Sequence, residues 1–205
     1  MSLDVAVAAI GRGGVVAIPT DTVYGLACDP ANAAAIDRIY AIKRRPADLE
    51  LTVLAATIAD IEADVELNPD AQTLAAACWP GALSIVCRLR RHRWGVPRTG
   101  DTLSVRVPDH PIALELLRRT GPLATTSANR HGEAPAATAA AAGAALGGEI
   151  DAIVDGGRCA GLASTIIDCT TTIPRVLREG PIPAAVLRSL LGGFPSTSTE
   201  GQRSQ

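Results

Sequence analysis

A chain of 205 residues with 47% hydrophobic side chains can bury one sizeable core and is too apolar to be disordered over most of its length. Its formal net charge of −2 excludes a polycation, so any nucleic-acid contact must use a local patch. The basic run Arg88 to Arg98 is one such patch, and it reads equally as an exposed hairpin or loop.

Aromatic residues make up 2% of the chain, so Ala, Val, Leu and Ile must fill the interior. Met1-Ser2-Leu3-Asp4 has no basic region before an apolar core, and no stretch reaches membrane-spanning length. A cytoplasmic protein with no membrane partner is therefore expected. Cys28, Cys78, Cys87, Cys159 and Cys169 are odd in number and form no C-x-x-C pair, which predicts reduced, buried thiols. The three histidines stand in no metal-ligand motif, and no metal site within the protein is expected.

In chain order, residues 3–11 read as a helix closed by Gly11 or Gly13, and Val15-Val16-Ala17-Ile18 as an apolar strand stopped by Pro19. Asn32 to Ile42 is helical, with Ile36, Ile39 and Tyr40 on one side. Leu51 to Leu54 is a short strand, and helices follow near 57–64 and 70–77. Alternation in Leu83 to Leu89 and Leu103 to Val107 predicts two strands paired across the basic segment. Pro111 to Arg119 reads as helix, Leu123 to Thr126 as strand, and the Ala-rich 138–147 as a helix ended by Gly147-Gly148. Strands at 152–154, 163–168 and 174–178 precede a helix at 182–191. The result is one mixed α/β domain over 1–194, with 195–205 expected to be a disordered tail.

Polar residues cluster where these apolar strands end, which is where α/β proteins place ligands. In Pro19-Thr20-Asp21-Thr22-Val23-Tyr24-Gly25-Leu26, Thr20 and Thr22 offer hydroxyls and Asp21 offers an acceptor for an amine or a metal. A capped turn, with Asp21 satisfying local amides, is the simpler alternative. Lys43 is the single lysine among 19 basic residues and stands in Ile42-Lys43-Arg44-Arg45-Pro46. The dipole at a helix C-terminus accounts for one or two of these cations, and the third suggests an anion such as a triphosphate. G-x-x-x-x-G-K-S/T is absent, so this is no P-loop.

Thr125-Thr126-Ser127-Ala128-Asn129 repeats the pattern of a strand followed by small hydrogen-bonding groups, suited to a nucleotide phosphate or ribose, or to a helix N-cap. Ser164-Thr165 is a weaker instance, and Arg178, just before Gly180-Pro181, is placed to close over a phosphate. Arg106 lies inside a strand pattern and either pairs internally or points into a cleft. Neither Ser84 nor Ser127 stands in a G-x-S-x-G elbow. A cleft of Thr, Ser, Asn, Arg and Lys suits catalysis by positioning and charge neutralisation, as in nucleotidyl transfer.

The ordered segments GGVVAIPTDTVYGLACDP, IYAIKRRP, WPGALSIVCRL, SVRVPDHP, GPLATTSAN, LASTIIDC and VLREG resemble the YrdC/Sua5 family of threonylcarbamoyl-AMP synthases, from about Ala9 to Leu191. The resemblance implies a single YrdC-like domain in its short form: a twisted mixed sheet with flanking helices around a deep positive cleft. It implies formation of threonylcarbamoyl-AMP and pyrophosphate from L-threonine, bicarbonate or CO2, and ATP with Mg²⁺. The product serves N6-threonylcarbamoyl modification of adenosine 37 in tRNA, through a downstream transferase and with tRNA itself as a further possible partner. On this resemblance Thr22, Arg88, Thr125 and Ser164 would meet threonine, and Lys43 and Arg45 would neutralise phosphates and the carboxylated intermediate. Ser84, Ser127, Asn129 and Arg178, with Lys43 and Arg45, would hold the nucleotide, while Thr20, Asp21 and Arg106 support the cleft.

The family pattern K-x-R-P-x-x-K/N-P-L, followed two residues later by His, is only partly kept. Leu49 and Glu50 replace its polar residue and proline, and Leu54 stands where His is expected. His131 and Pro135 replace two serines. A carboxylate at Glu50 repels phosphates unless it points away or holds Mg²⁺. A YciO-like paralogue that binds RNA or nucleotide without this turnover is the alternative implied.

Overall fold

The computed structural model describes residues 1–44, 50–96 and 100–193. Arg45, Leu49 and the tail expected at 195–205 lie outside the described residues. Within them the chain runs α1 (Leu3–Gly11), β1 (Val16–Ile18), β2 (Gly25–Cys28), α2 (Ala33–Lys43), β3 (Thr52–Leu54), β4 (Val65–Glu66) and α3 (Pro69–Cys78). It continues β5 (Leu83–Leu89), β6 (Thr102–Arg106), α4 (Pro111–Thr120), β7 (Leu123–Ser127), α5 (Ala139–Leu146), β8 (Ala152–Ile153), β9 (Thr165–Asp168), β10 (Arg175–Arg178) and α6 (Ala184–Leu190).

Local chemistry sets the helix starts. The side chains of Asn32, Asn68 and Thr138 each accept an amide three residues on, from Ala35, Ala71 and Ala141. Pro69 and Pro111 occupy first-turn positions, where a missing N–H costs nothing.

Two elements differ from the sequence expectation. The helix expected over 57–64 is a single 3-10 turn, Ile58–Asp60, closed by a reciprocal cap between Thr57 and Asp60. The chain then leaves to pair Val65 and Glu66 with β5, which outweighs the helical propensity of the segment. β2, read as part of a polar loop, is instead fully buried and lies between β1 and β7. A strand covered on both faces shows no alternation to betray it.

The strands form one mixed sheet, in the order β10-β9-β5-β6-β3-β7-β2-β1-β8, with β4 beside the far end of β5. β1/β8, β3/β6 and β5/β9 are parallel, and the remaining pairs are antiparallel. β5 and β6 pair as expected, with Cys87 opposite Leu103.

Strand parity divides the sheet into two unlike faces. One carries Ala17, Leu26, Val53, Ile85, Val105, Ala124 and Ile167, and packs in one cluster with residues of α2, α3, α5 and α6. On the other face, Val16, Ile18, Ala27, Leu54 and Leu123 pack under α1 and α4. Those two helices reach only part of that face. The rest of it carries Thr52, Ser84, Arg106, Thr125 and Ser127.

No helix among the described residues is long and apolar enough to cross a membrane. All five cysteines are free, and all but the half-buried Cys78 are buried. Burial pushes the thiols of Cys28 and Cys169 up to about 12, so they stay protonated at neutral pH.

The turn after β10 is packed against the entry to β9. A Cβ on Gly180 would lie 2.2 Å from the Ala163 carbonyl oxygen and 2.7 Å from the Thr165 amide nitrogen, both backbone atoms that cannot swing aside. Gly180→Ala should therefore destabilise the fold by about 1–3 kcal/mol, read as a lower urea midpoint.

Candidate functional site

The uncovered polar part of the sheet floors a cavity of about 210 Å³. It is lined across seven neighbouring strands, from Arg178 on β10 and Ile166 on β9, through Ser84, Arg106 and Thr52, to Thr125 on β7 and Gly25 on β2. The register explains the convergence: Ile166 pairs with Ser84, Arg106 with Leu54, and Thr125 with both Thr52 and Ala27.

Arg106 organises one wall. Its guanidinium donates to Asp21 Oδ1 (2.5 Å), Thr22 Oγ1 (3.0 Å) and the Gly81 carbonyl (2.8 Å). The pair is well buried, with the Arg106 side chain 6% and the Asp21 side chain 17% exposed. Burial lowers the Arg106 pKa, Asp21 opposes that, and the nearby Arg178 cation adds to the lowering. Asp21 also accepts the Asp109 amide at 3.1 Å.

Thr20 sits behind this pair. Its hydroxyl donates to the Val23 carbonyl (2.6 Å) and receives the Thr22 and Val23 amides. The turn at 19–26 is thus capped by Thr20 and not, as the simpler alternative had it, by Asp21, which with Thr22 instead holds Arg106 at the cavity.

On the opposite side, Arg178 grips the Ser164 carbonyl with Nε and Nη2, at 3.0 and 2.9 Å. Ser164 and Ser84 share a buried hydroxyl–hydroxyl bond of 2.9 Å. Thr125 Oγ1 donates to the Thr52 carbonyl, and Thr52 Oγ1 lies 2.9 Å from Ser104 Oγ.

Lys43 does not line the cavity. It is 2% exposed, and its ammonium donates to the carbonyls of Ser127 and Asn129, both at 2.6 Å, and to Asn129 Oδ1 at 3.3 Å. In return, the loop satisfies the open end of α2: Arg130 donates to the Ile42 carbonyl, and the His131 amide to that of Lys43. Asn129 Nδ2 closes the loop on the carbonyls of Arg130 and Glu133. Arg44 is the exposed left-handed C-cap, so the dipole account suffices for that cation.

Of the sequence candidates, Thr20, Thr22, Ser84, Arg106, Thr125, Ser127, Ser164 and Arg178 line the cavity. Asp21, Lys43 and Asn129 stand one contact behind it. Arg88 is outside it, exposed and bonded to the Thr170 carbonyl at 3.0 Å. Arg45 lies outside the described residues. Thr52, Val23, Ala163 and Ile166 are lining residues that sequence reasoning missed, and Glu50 and Leu54, noted only as departures, also line the cavity. Thr52 was detectable, because it shares strand parity with the buried Leu54 while being polar. Among the described residues no group of three or more His, Cys, Asp or Glu side chains is placed to hold a metal.

Residues 8–180 match the model of the Sua5_yciO_yrdC family, described as telomere recombination. The threonylcarbamoyl-AMP synthase of Xanthomonas axonopodis pv. citri is 41% identical over 165 residues, which are 76% of this chain and 86% of that protein. The crystal structure of Pyrococcus abyssi Sua5 complexed with L-threonine superposes with a TM-score of 0.87 at 35% identity. That match covers 94% of this chain but only 58% of the longer archaeal one. Escherichia coli YciO superposes with a TM-score of 0.82 at 26% identity, covering 90% and 92%. The chain belongs to the YrdC/Sua5 family and has its α/β fold.

Removing one partner of a buried ion pair leaves an uncompensated charge. Asp21→Ala should cost on the order of 3 kcal/mol of stability, and adding Arg106→Met should recover part of it. Urea denaturation of the two single variants and the double variant measures that coupling.

Proposed function

We propose that the protein is a threonylcarbamoyl-AMP synthase, joining L-threonine, CO2 derived from bicarbonate, and ATP to give threonylcarbamoyl-AMP and pyrophosphate. The observation that carries this reading is the meeting of hydroxyls from Thr22, Ser84, Thr125 and Ser164 with the guanidiniums of Arg106 and Arg178 in one cavity. The family relatives named as synthases support it.

The half-open cavity of about 210 Å³ suits an amino acid and a reacting phosphate, and falls short of the ~300–1,000 Å³ that holds larger ligands. The rest of the nucleotide then extends outward over the 127–129 loop. In this reading Thr22, Thr125 and Ser164 receive threonine. Arg178, Ser84, Ser127 and the loop held by Lys43 and Asn129 receive the nucleotide, with Arg45 as a further phosphate partner.

Threonine's amine captures CO2, and a carbamate oxygen attacks the α-phosphorus of ATP in line with departing pyrophosphate. Mg²⁺ enters with the nucleotide as part of the substrate and offsets charge on the phosphate oxygens. The protein's contribution is positioning and fixed charge in a sheltered site. The labile product then passes to a transferase acting on tRNA.

Purified protein given ATP, Mg²⁺, bicarbonate and threonine should release pyrophosphate and yield the mixed adenylate by mass spectrometry, and omission of threonine should abolish both. Nucleotide or tRNA binding without threonine-dependent turnover would instead favour the YciO-like reading, to which Glu50 in the cavity gives some weight. Lys43→Met leaves three oxygen acceptors without their cation, with charged hydrogen bonds worth about 1.5–3 kcal/mol each. The turnover number should fall at least ~10²-fold, roughly the cost of two such bonds. An unchanged steady-state rate would remove Lys43 from the site.

A further inference from the structure

Thr22, Val23 and Gly25 line the cavity, while Tyr24 between them is fully buried in the core cluster that the sheet shares with α2, α3, α5 and α6. Every polar group of Tyr24 is bonded to a distant part of the chain. Its amide donates to the Ala136 carbonyl at 2.9 Å, and its carbonyl accepts the Ala128 amide at 2.7 Å. Its hydroxyl donates to the Gly157 carbonyl at 2.8 Å and accepts the Gly156 amide at 3.1 Å. Asp155 closes the same corner by accepting the Gly157 amide at 2.9 Å. Burial pushes the phenol pKa up, so the hydroxyl keeps its proton and remains a donor at neutral pH.

The segment held by that hydroxyl joins the two sides of the sheet. β8 and β9 follow one another in sequence, yet six described strands lie between them. At ~4.8 Å per strand step the separation across a flat sheet is ~34 Å, and the roughly 11 residue steps from Val154 to Thr165 reach at most ~36–40 Å. The connection therefore has few residues to spare, and its pins decide where it runs.

Tyr24 supplies the first pin, at Gly156 and Gly157. There the backbone passes so close to the 19–24 turn that a Cβ on Gly156 would lie 2.6 Å from Pro19 Cγ. The Cys159 amide then donates to the Ala137 carbonyl at 2.8 Å, and the Gly161 amide to the Thr22 carbonyl at 2.7 Å. Gly157 and Gly161 have φ of 82° and 86°, which lets the chain bend at the first and last pins. Beyond them Ala163 and Ser164 line the cavity, and Ser164 bonds Ser84 and Arg178. One hydroxyl on the core side thus fixes the start of a connection whose other end is cavity wall, and which holds Thr22 on the way.

We propose that Tyr24 is a positioning residue for the threonine end of the cavity: by pinning Gly156 and Gly157 it sets the course of the 154–165 connection, and with it the placement of Thr22 and Ser164. This rests on the synthase reading, in which those two residues receive threonine. The Tyr24 hydroxyl touches no substrate. A connection with little slack passes a displacement along its length, because no loose chain is there to absorb it.

The test compares wild type with Tyr24→Phe, which removes one oxygen while keeping the buried ring and both main-chain bonds. The threonine KM should rise about 10-fold, the range expected when a buried hydrogen bond is lost and its partner amide is left unpaired, while the ATP KM and kcat stay within about 3-fold. Amide hydrogen exchange over 156–164 should quicken, with β1 and β7 unchanged. Asp155→Ala loosens the same corner without touching the ring and should raise the threonine KM by a smaller factor. Thr120→Val, which deletes a hydroxyl bonded to the Leu116 carbonyl at the end of α4, controls for a general loss of stability and should move neither KM. An unchanged threonine KM in Tyr24→Phe, a fall in kcat alone, or an equal rise in the ATP KM would overturn the proposal. If wild type makes no adenylate, the synthase reading falls; if it does and Tyr24→Phe matches its threonine KM, only the role of Tyr24 falls.

Discussion

The guanidinium of Arg106 is the contact on which the cavity depends. It joins four stretches of chain that are far apart in sequence: β6, the Asp21–Thr22 turn, Gly81 ahead of β5 and, through Asp21, the Asp109 amide ahead of α4. A buried cation is costly to desolvate, and its cost is offset only when a carboxylate and further acceptors meet it in good geometry. Asp21, Thr22 and the Gly81 carbonyl satisfy that condition. One wall of the cavity is thereby fixed in place.

The sheet sets where that space lies. One of its faces is packed under helices across its width, while α1 and α4 cover only part of the other, from β8 and β1 across to Leu123 on β7 and Leu54 on β3. Strand alternation is consistent with this arrangement down to single residues. Positions on β5 and β6 facing the helices are Ile85 and Val105, and their neighbours facing the cavity are Ser84 and Arg106. Polar side chains on an otherwise buried sheet need hydrogen-bond partners, and the Ser84–Ser164 and Thr52–Ser104 hydroxyl pairs provide them.

Lys43 acts as a clamp between an end of helix and a loop. Its ammonium holds the carbonyls of Ser127 and Asn129, and Arg130 and His131 return donors to the last carbonyls of α2. The exchange satisfies the open carbonyls of a helix C-terminus and fixes the loop following β7. Arg130 is further tied to Glu149, which anchors the same corner at the surface. A lysine suits this position because one compact ammonium can donate to three oxygens at once.

Much of the fold was legible in the sequence alone. The helices at 3–11, 32–42, 70–77, 111–119 and 138–147 read from their apolar patterns lie close to the observed ones, whose starts Asn32, Asn68, Thr138, Pro69 and Pro111 set by local contacts. The alternating β5 and β6 segments announced their pairing, and the threonine and serine clusters at strand ends marked the cavity. β2 escaped because burial on both faces erases periodicity, and the 57–64 segment stops after a single turn because the chain leaves it to pair Val65 and Glu66 with β5. The sequence by itself determined which residues bear polar groups at strand ends and which elements carry them, since capping, alternation and turn chemistry act over a few residues. Tertiary structure alone decided that Arg106 meets Asp21 across 85 positions, that Lys43 turns inward to the 127–129 loop, and that Glu50 enters the cavity while Arg88 stays outside it. Those outcomes depend on strand order and register, which are set by the joint burial of both faces of the sheet.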